Sequence, residues 1–265
     1  MPRYNIKPNT YMMRFTLLIA LFFSVALQAQ NNAIAPDEKL VYTASYNMSG
    51  ILNDIAQVTM STAKVNTSKA TLMRLKVTAL TYSKWDNFFK IRDLYESYVS
   101  PKTLTPYLYK RDINEGGYYK AMKYTFSHKT NTVKTVQTKK NNYVENKTVS
   151  INKGTKDIVS ALYYIRLFDY ASMSKGSSKS LNIIFDRKEF NGKITYLGKE
   201  TISTAIGTKE CYKLSIGADS SSGLQGSSNF LWLTADENKI PVYGKFKIPV
   251  GNGELKIKSA SGLKN

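Results

Sequence analysis

Apolar and polar residues alternate with period two along most of this chain, a pattern that suits strands with one face turned to a core. In a first run, Leu40, Tyr42, Ala44 and Tyr46 fall on one face and Val41, Thr43 and Ser45 on the other. Similar runs cover residues 55–63, 70–83, 88–99, 104–111, 117–128, 132–139, 143–151, 181–185, 193–200, 209–216, 229–234, 240–247 and 253–259. Turn-forming residues separate them, among them Ser49-Gly50, Ser100-Pro101, Glu115-Gly116-Gly117 and Gly251-Asn252-Gly253. Asn191-Gly192 stands between two runs and predicts a two-residue hairpin turn. The expected fold is mainly β: a single antiparallel, strongly curved sheet or open β-barrel of roughly 12–14 strands with one short amphipathic helix.

The helix is expected over residues 156–168. Ile158, Leu162, Ile165 and Phe168 recur there at helical spacing, with Thr155 or Asp157 placed to cap the amino-terminal end. A stripe of that kind has to lie on a sheet, covering one face or plugging one mouth. The serine-rich stretches 171–179 and 218–228 are too short to separate domains.

Residues 15–27 form an apolar run preceded by Arg3, Lys7 and Arg14 and followed by Gln28-Ala29-Gln30. The run falls short of the ~20 residues of a membrane-spanning helix, and its order of basic flank, apolar centre and small residue predicts a secretory signal peptide over residues 1–29. Cleavage after Ala26 and an uncleaved anchor are the alternatives. Residues 30–265 then form a single mainly-β domain in an oxidising compartment, where the one Cys, Cys211, has no internal partner. Alternation places Cys211 on the face opposite Tyr212, as a buried, inert thiol.

The chain carries 38 Lys+Arg against 19 Asp+Glu, a formal charge of +19. One Cys and one His exclude multi-cysteine and His-rich metal centres. No Gly-rich phosphate loop and no nucleophile elbow occurs, and Ser127 and His128, as strand neighbours, point to opposite faces. No metal, cofactor or enzymatic activity is therefore expected.

Five segments resemble the exported bacterial family known as domain of unknown function 3108: residues 38–42 (Glu-Lys-Leu-Val-Tyr), 92–98 (Arg-Asp-Leu-Tyr-Glu-Ser-Tyr), 115–118 (Glu-Gly-Gly-Tyr), 157–166 (Asp-Ile-Val-Ser-Ala-Leu-Tyr-Tyr-Ile-Arg) and 232–242 (Trp-Leu-Thr-Ala-Asp-Glu-Asn-Lys-Ile-Pro-Val). The resemblance implies an exported Gram-negative envelope protein, periplasmic, associated with the outer membrane or secreted, with a mainly β fold and no established activity. A looser analogy is to the half-open sheets of periplasmic lipoprotein carriers, a fold-level warrant only.

Two groups of residues are candidates for binding. Arg92, Glu96, Arg111 and Glu115, with Tyr95, Tyr118 and Trp85, could anchor an amphipathic ligand. Glu96 and Glu115 could in principle act as acid and base on a glycan, but each carboxylate has an arginine close in sequence that would keep it ionised. Lys120, Lys123, Lys129, Lys134, Lys139 and Lys140 could form a basic face for anionic polymers or lipid headgroups. Nucleic acid is an unsuitable partner for an exported chain. The 19 tyrosines suit a half-wet pocket as well as a sheet surface. The preferred expectation is a non-catalytic carrier or binder of an amphipathic molecule. A structural module on anionic envelope polymers is the alternative, and a glycan hydrolase is a distant third.

Overall fold

The structure, a computed structural model, describes residues 30–48, 50–218, 229–248 and 251–265. The expected export signal and most of the serine-rich stretch after Ala218 lie outside them. Fifteen strands form one sheet: β1 (Lys39–Met48), β2 (Ile51–Asn66), β3 (Thr71–Thr81), β4 (Arg92–Val99), β5 (Pro106–Glu115), β6 (Tyr118–Ser127), β7 (Thr132–Lys139), β8 (Val144–Ser150), β9 (Lys156–Asp157), β10 (Ser178–Phe185), β11 (Lys188–Thr204), β12 (Gly207–Ala218), β13 (Phe230–Thr234), β14 (Pro241–Ile248) and β15 (Gly251–Ser261). Each run expected from alternation becomes one strand, and β9 is the addition.

The order across the sheet is β8 to β1 in descending sequence, then β15 down to β9. The chain's first and last strands meet in the middle, Lys39 opposite Ser261 and Tyr46 opposite Gly253. All neighbours are antiparallel except β9 and β10. Register shifts at Val41/Tyr42, Ala44/Ser45, Tyr98/Val99, Tyr196/Gly198 and Trp232/Leu233 mark bulges, the devices that bend and coil a sheet.

Helix α1 (Ile158–Tyr164) and a 3-10 turn (Ile165–Leu167) continue directly from β9. Asp157 is the cap: its Oδ1 accepts from the backbone N–H groups of Val159 at 3.0 Å and Ser160 at 2.9 Å, satisfying donors that have no partner inside the helix. Ser97 of β4 donates to the other carboxylate oxygen at 2.6 Å, tying the helix start to the sheet. The expected single apolar stripe is only half of what the helix presents. Val159, Tyr163 and Leu167 enter one apolar cluster and Ala161 and Ile165 a second, so the helix is enclosed from two sides.

The sheet edges β8 and β9 do not pair among the described residues, and side chains bridge the opening instead. The two-residue turn between β10 and β11, Asp186-Arg187, reaches across to β5–β8. Asp186 accepts from Arg111 and, at 2.9 Å, from Lys120. Arg187 pairs with Glu145 at 2.8 Å and donates its N–H to the Tyr124 hydroxyl at 2.9 Å. Beside them, Glu189 accepts from the Asn152 backbone N–H at 2.9 Å and from the Thr155 hydroxyl.

Burial pushes the Asp186 carboxyl upward, but the hydrogen bonds from Lys120 and Arg111 outweigh it and hold the group below the usual aspartate range. A depressed folded-state pKa stabilises above the unfolded value of about 4, and the contribution is lost as pH falls through the folded value. Asp186→Asn keeps a residue tolerant of the positive φ of 45° and removes the charge. It should lower Tm by about 1–3 °C at pH 7, the scale of a half-exposed ion pair in a chain of this size. The gap between wild type and variant should close as pH is taken well below 4, which thermal melts across that range will show.

Candidate functional site

Between α1 and the concave side of the sheet lies a cavity of about 500 Å³. Its floor is the helix face bearing Ile158, Leu162 and Ile165, and its walls come from alternate residues of β1–β3 and β10–β15, such as Met60, Val77, Ile183, Phe190, Ile194, Ile216, Leu231 and Leu255. The same period-two pattern that builds the strands makes the wall apolar, since on β1–β3 and β10–β15 the inward positions that reach the cavity are almost all apolar.

Two glycines give the wall its depth. Gly192 lies inside β11, not in a turn, and a Cβ there would come within 2.8 Å of Ile183 Cδ1. The Asn191-Gly192 hairpin expected from sequence is thus corrected: Asp186 and Arg187, with φ of 45° and 63°, make the turn five residues earlier. Both are left-handed, as a twisted two-residue hairpin requires. Gly244 plays the same part on β14, where a Cβ would meet the Phe246 ring at 2.7 Å. The expected hairpin turn at Gly251-Asn252-Gly253 is likewise displaced: these residues begin β15, and Gly251 pairs with Ile248.

Polar groups at the cavity are few. The Tyr42 hydroxyl donates to the Pro241 carbonyl at 2.9 Å, so its ring can face the cavity with its polar end satisfied. Asn229 and the exposed Lys193 and Lys247 stand on the rim, and among the described residues no acid lines the space. A smaller cavity of about 300 Å³ at the other end of the strands is bordered by Asn31, Lys64, Lys102 and Lys264.

The residues expected to anchor a ligand do not line the main cavity, and they divide between the faces of the sheet. Tyr95 pairs with Arg111 across β4 and β5, so these two share the inner face with Asp93 and Glu115. Arg92 and Glu96 have the opposite parity and face outward. Glu96 and Glu115 are therefore on opposite faces and cannot flank one glycosidic bond. Arg92 serves the β3–β4 loop, pairing with Asp86 at 2.5 Å and donating to Thr81 Oγ1 at 2.9 Å. Glu96 pairs with Arg74 at 3.7 Å. Arg111 is buried beneath the Asp186 turn with Phe185 stacked 4.4 Å from its guanidinium. Burial, then the adjoining Asp93 carboxyl, holds Glu115 above the ordinary carboxylate range, and the Tyr95 hydroxyl donates to Asp93 at 3.4 Å. Tyr118 is exposed at the start of β6. Trp85 is away from the cavity rim, in the β3–β4 loop, where its indole N–H donates to the Asp54 carbonyl at 2.7 Å.

The six lysines do not form one face. Lys120 and Lys139 are paired with Asp186 and Glu145. Lys123 and Lys134 point outward from β6 and β7, while Lys129 and Lys140 sit in connections at opposite strand ends. Cys211 is fully buried as expected, and burial pushes its thiol up to about 11, which keeps it protonated and inert.

A fully enclosed ion pair gives no signal in the local sequence pattern. Arg166, at the end of the helical segment, is wholly buried and makes a bidentate pair with Glu38, Nη1 to Oε1 at 2.6 Å and Nη2 to Oε2 at 2.7 Å. It also donates to the Asn238 carbonyl at 2.9 Å and the Ala33 carbonyl at 3.1 Å. Three of the segments that carry the family resemblance meet at this one guanidinium, and a fourth reaches the helix through the Ser97–Asp157 bond.

A family model described as protein of unknown function (DUF3108) matches residues 41–258. Among solved structures, a β-barrel-like protein of domain of unknown function DUF1849 from Brucella abortus is similar in fold, with a TM-score of 0.56 and 8% identity over 86% of this chain and 99% of that one. A candidate lipoprotein from Parabacteroides distasonis matches with a TM-score of 0.32 and 11% identity over 85% of this chain and 95% of its own, too low to bear on the fold. A search of curated proteins finds no match.

Proposed function

The chain belongs to the DUF3108 family, and from that premise we propose that it is a non-catalytic exported envelope protein that binds or carries an amphipathic, lipid-like molecule in its cavity. The observation that carries the reading is the cavity itself: a half-open space of about 500 Å³ with an apolar wall, within the roughly 300–1,000 Å³ of small-molecule sites. Taking each methylene-sized group at about the 30 Å³ of a water molecule in the liquid, the space holds roughly 17 of them, enough for one acyl chain. Each methylene moved from water to such a wall contributes ~0.8 kcal/mol, so one chain can be held without any strong polar anchor. Lys193 and Lys247 on the rim favour an anionic headgroup over a cationic one. The basic and apolar segments before Gln28 support export, and the inert Cys211 suits an oxidising compartment. The polymer-docking alternative loses its support where Lys120 and Lys139 are engaged internally.

Native mass spectrometry of protein purified from its own host should show co-purifying single-chain amphiphiles, and stripped protein should take up a fluorescent long-chain fatty acid. Protein that is repeatedly empty and takes up no probe overturns the reading.

A further inference from the structure

In an antiparallel meander every second connection leaves the sheet at the same end. The connections β1–β2, β3–β4, β5–β6 and β7–β8 therefore share one end of neighbouring strands. That end carries most of the large apolar side chains exposed among the described residues. Ile51 and Leu52 stand at the β1–β2 tip, Phe88 and Phe89 in the β3–β4 loop, and Tyr143 and Val144 at the β7–β8 tip; Ile51 is 67% and Phe88 84% exposed. The opposite end has only Tyr107 and Leu263. Scattered apolar residues are ordinary on a protein surface, but their concentration on adjacent tips is not.

The tips are joined to one another. Trp85 binds the Asp54 carbonyl of β2, the Gly116 N–H donates to the Lys90 carbonyl at 2.9 Å, and the Phe89 ring lies over Gly116, where a Cβ would approach it to 2.8 Å. Lys84, Lys90 and Lys140 stand exposed among them. The nearby acids are mostly answered: Asp86 by Arg92, and Glu145 by Lys139 and Arg187, while Asp54 accepts from the Ser45 hydroxyl at 2.6 Å. Aromatic and aliphatic tips interleaved with lysines suit the boundary of an anionic bilayer, where rings sit at headgroup depth and ammonium groups reach phosphate. A protein partner would be better served by a continuous flat patch than by separate protruding tips.

We propose that this end of the sheet docks on the surface of an anionic phospholipid bilayer, inserting the apolar tips at 51–52, 88–89 and 143–144. Gly217 and Lys247 on the cavity rim lie toward this same end of β12 and β14, where Lys247 pairs with Asn252 and Tyr46 with Gly253, so docking turns the rim toward the lipid.

The test is flotation with vesicles of phosphatidylglycerol and phosphatidylethanolamine, compared with phosphatidylcholine alone. Wild-type protein should float with the anionic vesicles, less so as salt rises and weakly with phosphatidylcholine. Ile51→Ser with Phe88→Ser should reduce partitioning at least tenfold, and Tyr107→Ser at the far end should leave it unchanged. Both tip residues are largely exposed, so the substitutions should not disturb folding, which circular dichroism will verify. No flotation with either vesicle overturns the proposal, as does equal flotation of the folded double variant. If the double variant instead abolishes self-association seen in sedimentation velocity while wild type ignores vesicles, the surface belongs to a second copy of the chain.

Discussion

Arg166→Met should destabilise the protein by about 3–5 kcal/mol, the range for removing one partner of a buried ion pair. Arg166 and Glu38 are both fully enclosed, so the pair is shielded from solvent. The variant strands a carboxylate and leaves two carbonyls, of Ala33 and Asn238, without their donor. In a domain of this length that is a fall in Tm of roughly 10 °C, with a matching drop in the urea midpoint. The double variant Arg166→Met with Glu38→Met should recover part of the loss, because no buried charge then remains unpaired. An unchanged urea midpoint in the single variant, or a double variant worse than the single, would show that this pair is not what joins the chain's first described segment, helical segment and β13–β14 connection.

Filling the cavity should separate ligand binding from folding. Leu162→Trp with Ile216→Trp enlarges two side chains that face the space from the helix and from β12. Overpacking a filled core costs typically 1–3 kcal/mol, but here the added rings extend into the cavity, so stability should change by less than about 1 kcal/mol. Uptake of a long-chain fatty acid should nevertheless fall at least tenfold. Leu214→Trp, at a fully buried position of the second cluster, is the contrast and should destabilise without that selectivity. Undiminished uptake in the stable double variant would place any ligand somewhere other than this cavity.

Much of the fold can be read from local pattern. The run 132–139 is β7 with the same boundaries, Asp157 is the cap of the two candidates Thr155 and Asp157, and the buried Cys211 is legible from its neighbours. Where the structure departs from local pattern, a non-local interaction is responsible. Asn191-Gly192 has the chemistry of a turn, yet Gly192 is used for close approach to Ile183, and the turn goes to two residues whose side chains cross to β5–β8. Alternation alone shows that Tyr95 and Glu96 face opposite ways. Which of them faces inward, and that Arg111 joins Tyr95, needs the pairing of β4 with β5. Lys120 and Lys139 looked like surface charge because their partners, Asp186 and Glu145, are placed by folding.

The sequence by itself determined fourteen of the strands, the amphipathic helix and the presence of only one Cys and one His, because each depends on composition or on spacing within a few residues. The tertiary structure alone decided where the sheet curls, which edges the Asp186 turn bridges, and how much space remains against α1. Arg166 finds Glu38 from 128 residues away, and β1 finds β15 across nearly the whole chain. A period of two specifies which side of a strand is apolar but carries no information about curvature or distant partners, and the cavity is a product of both.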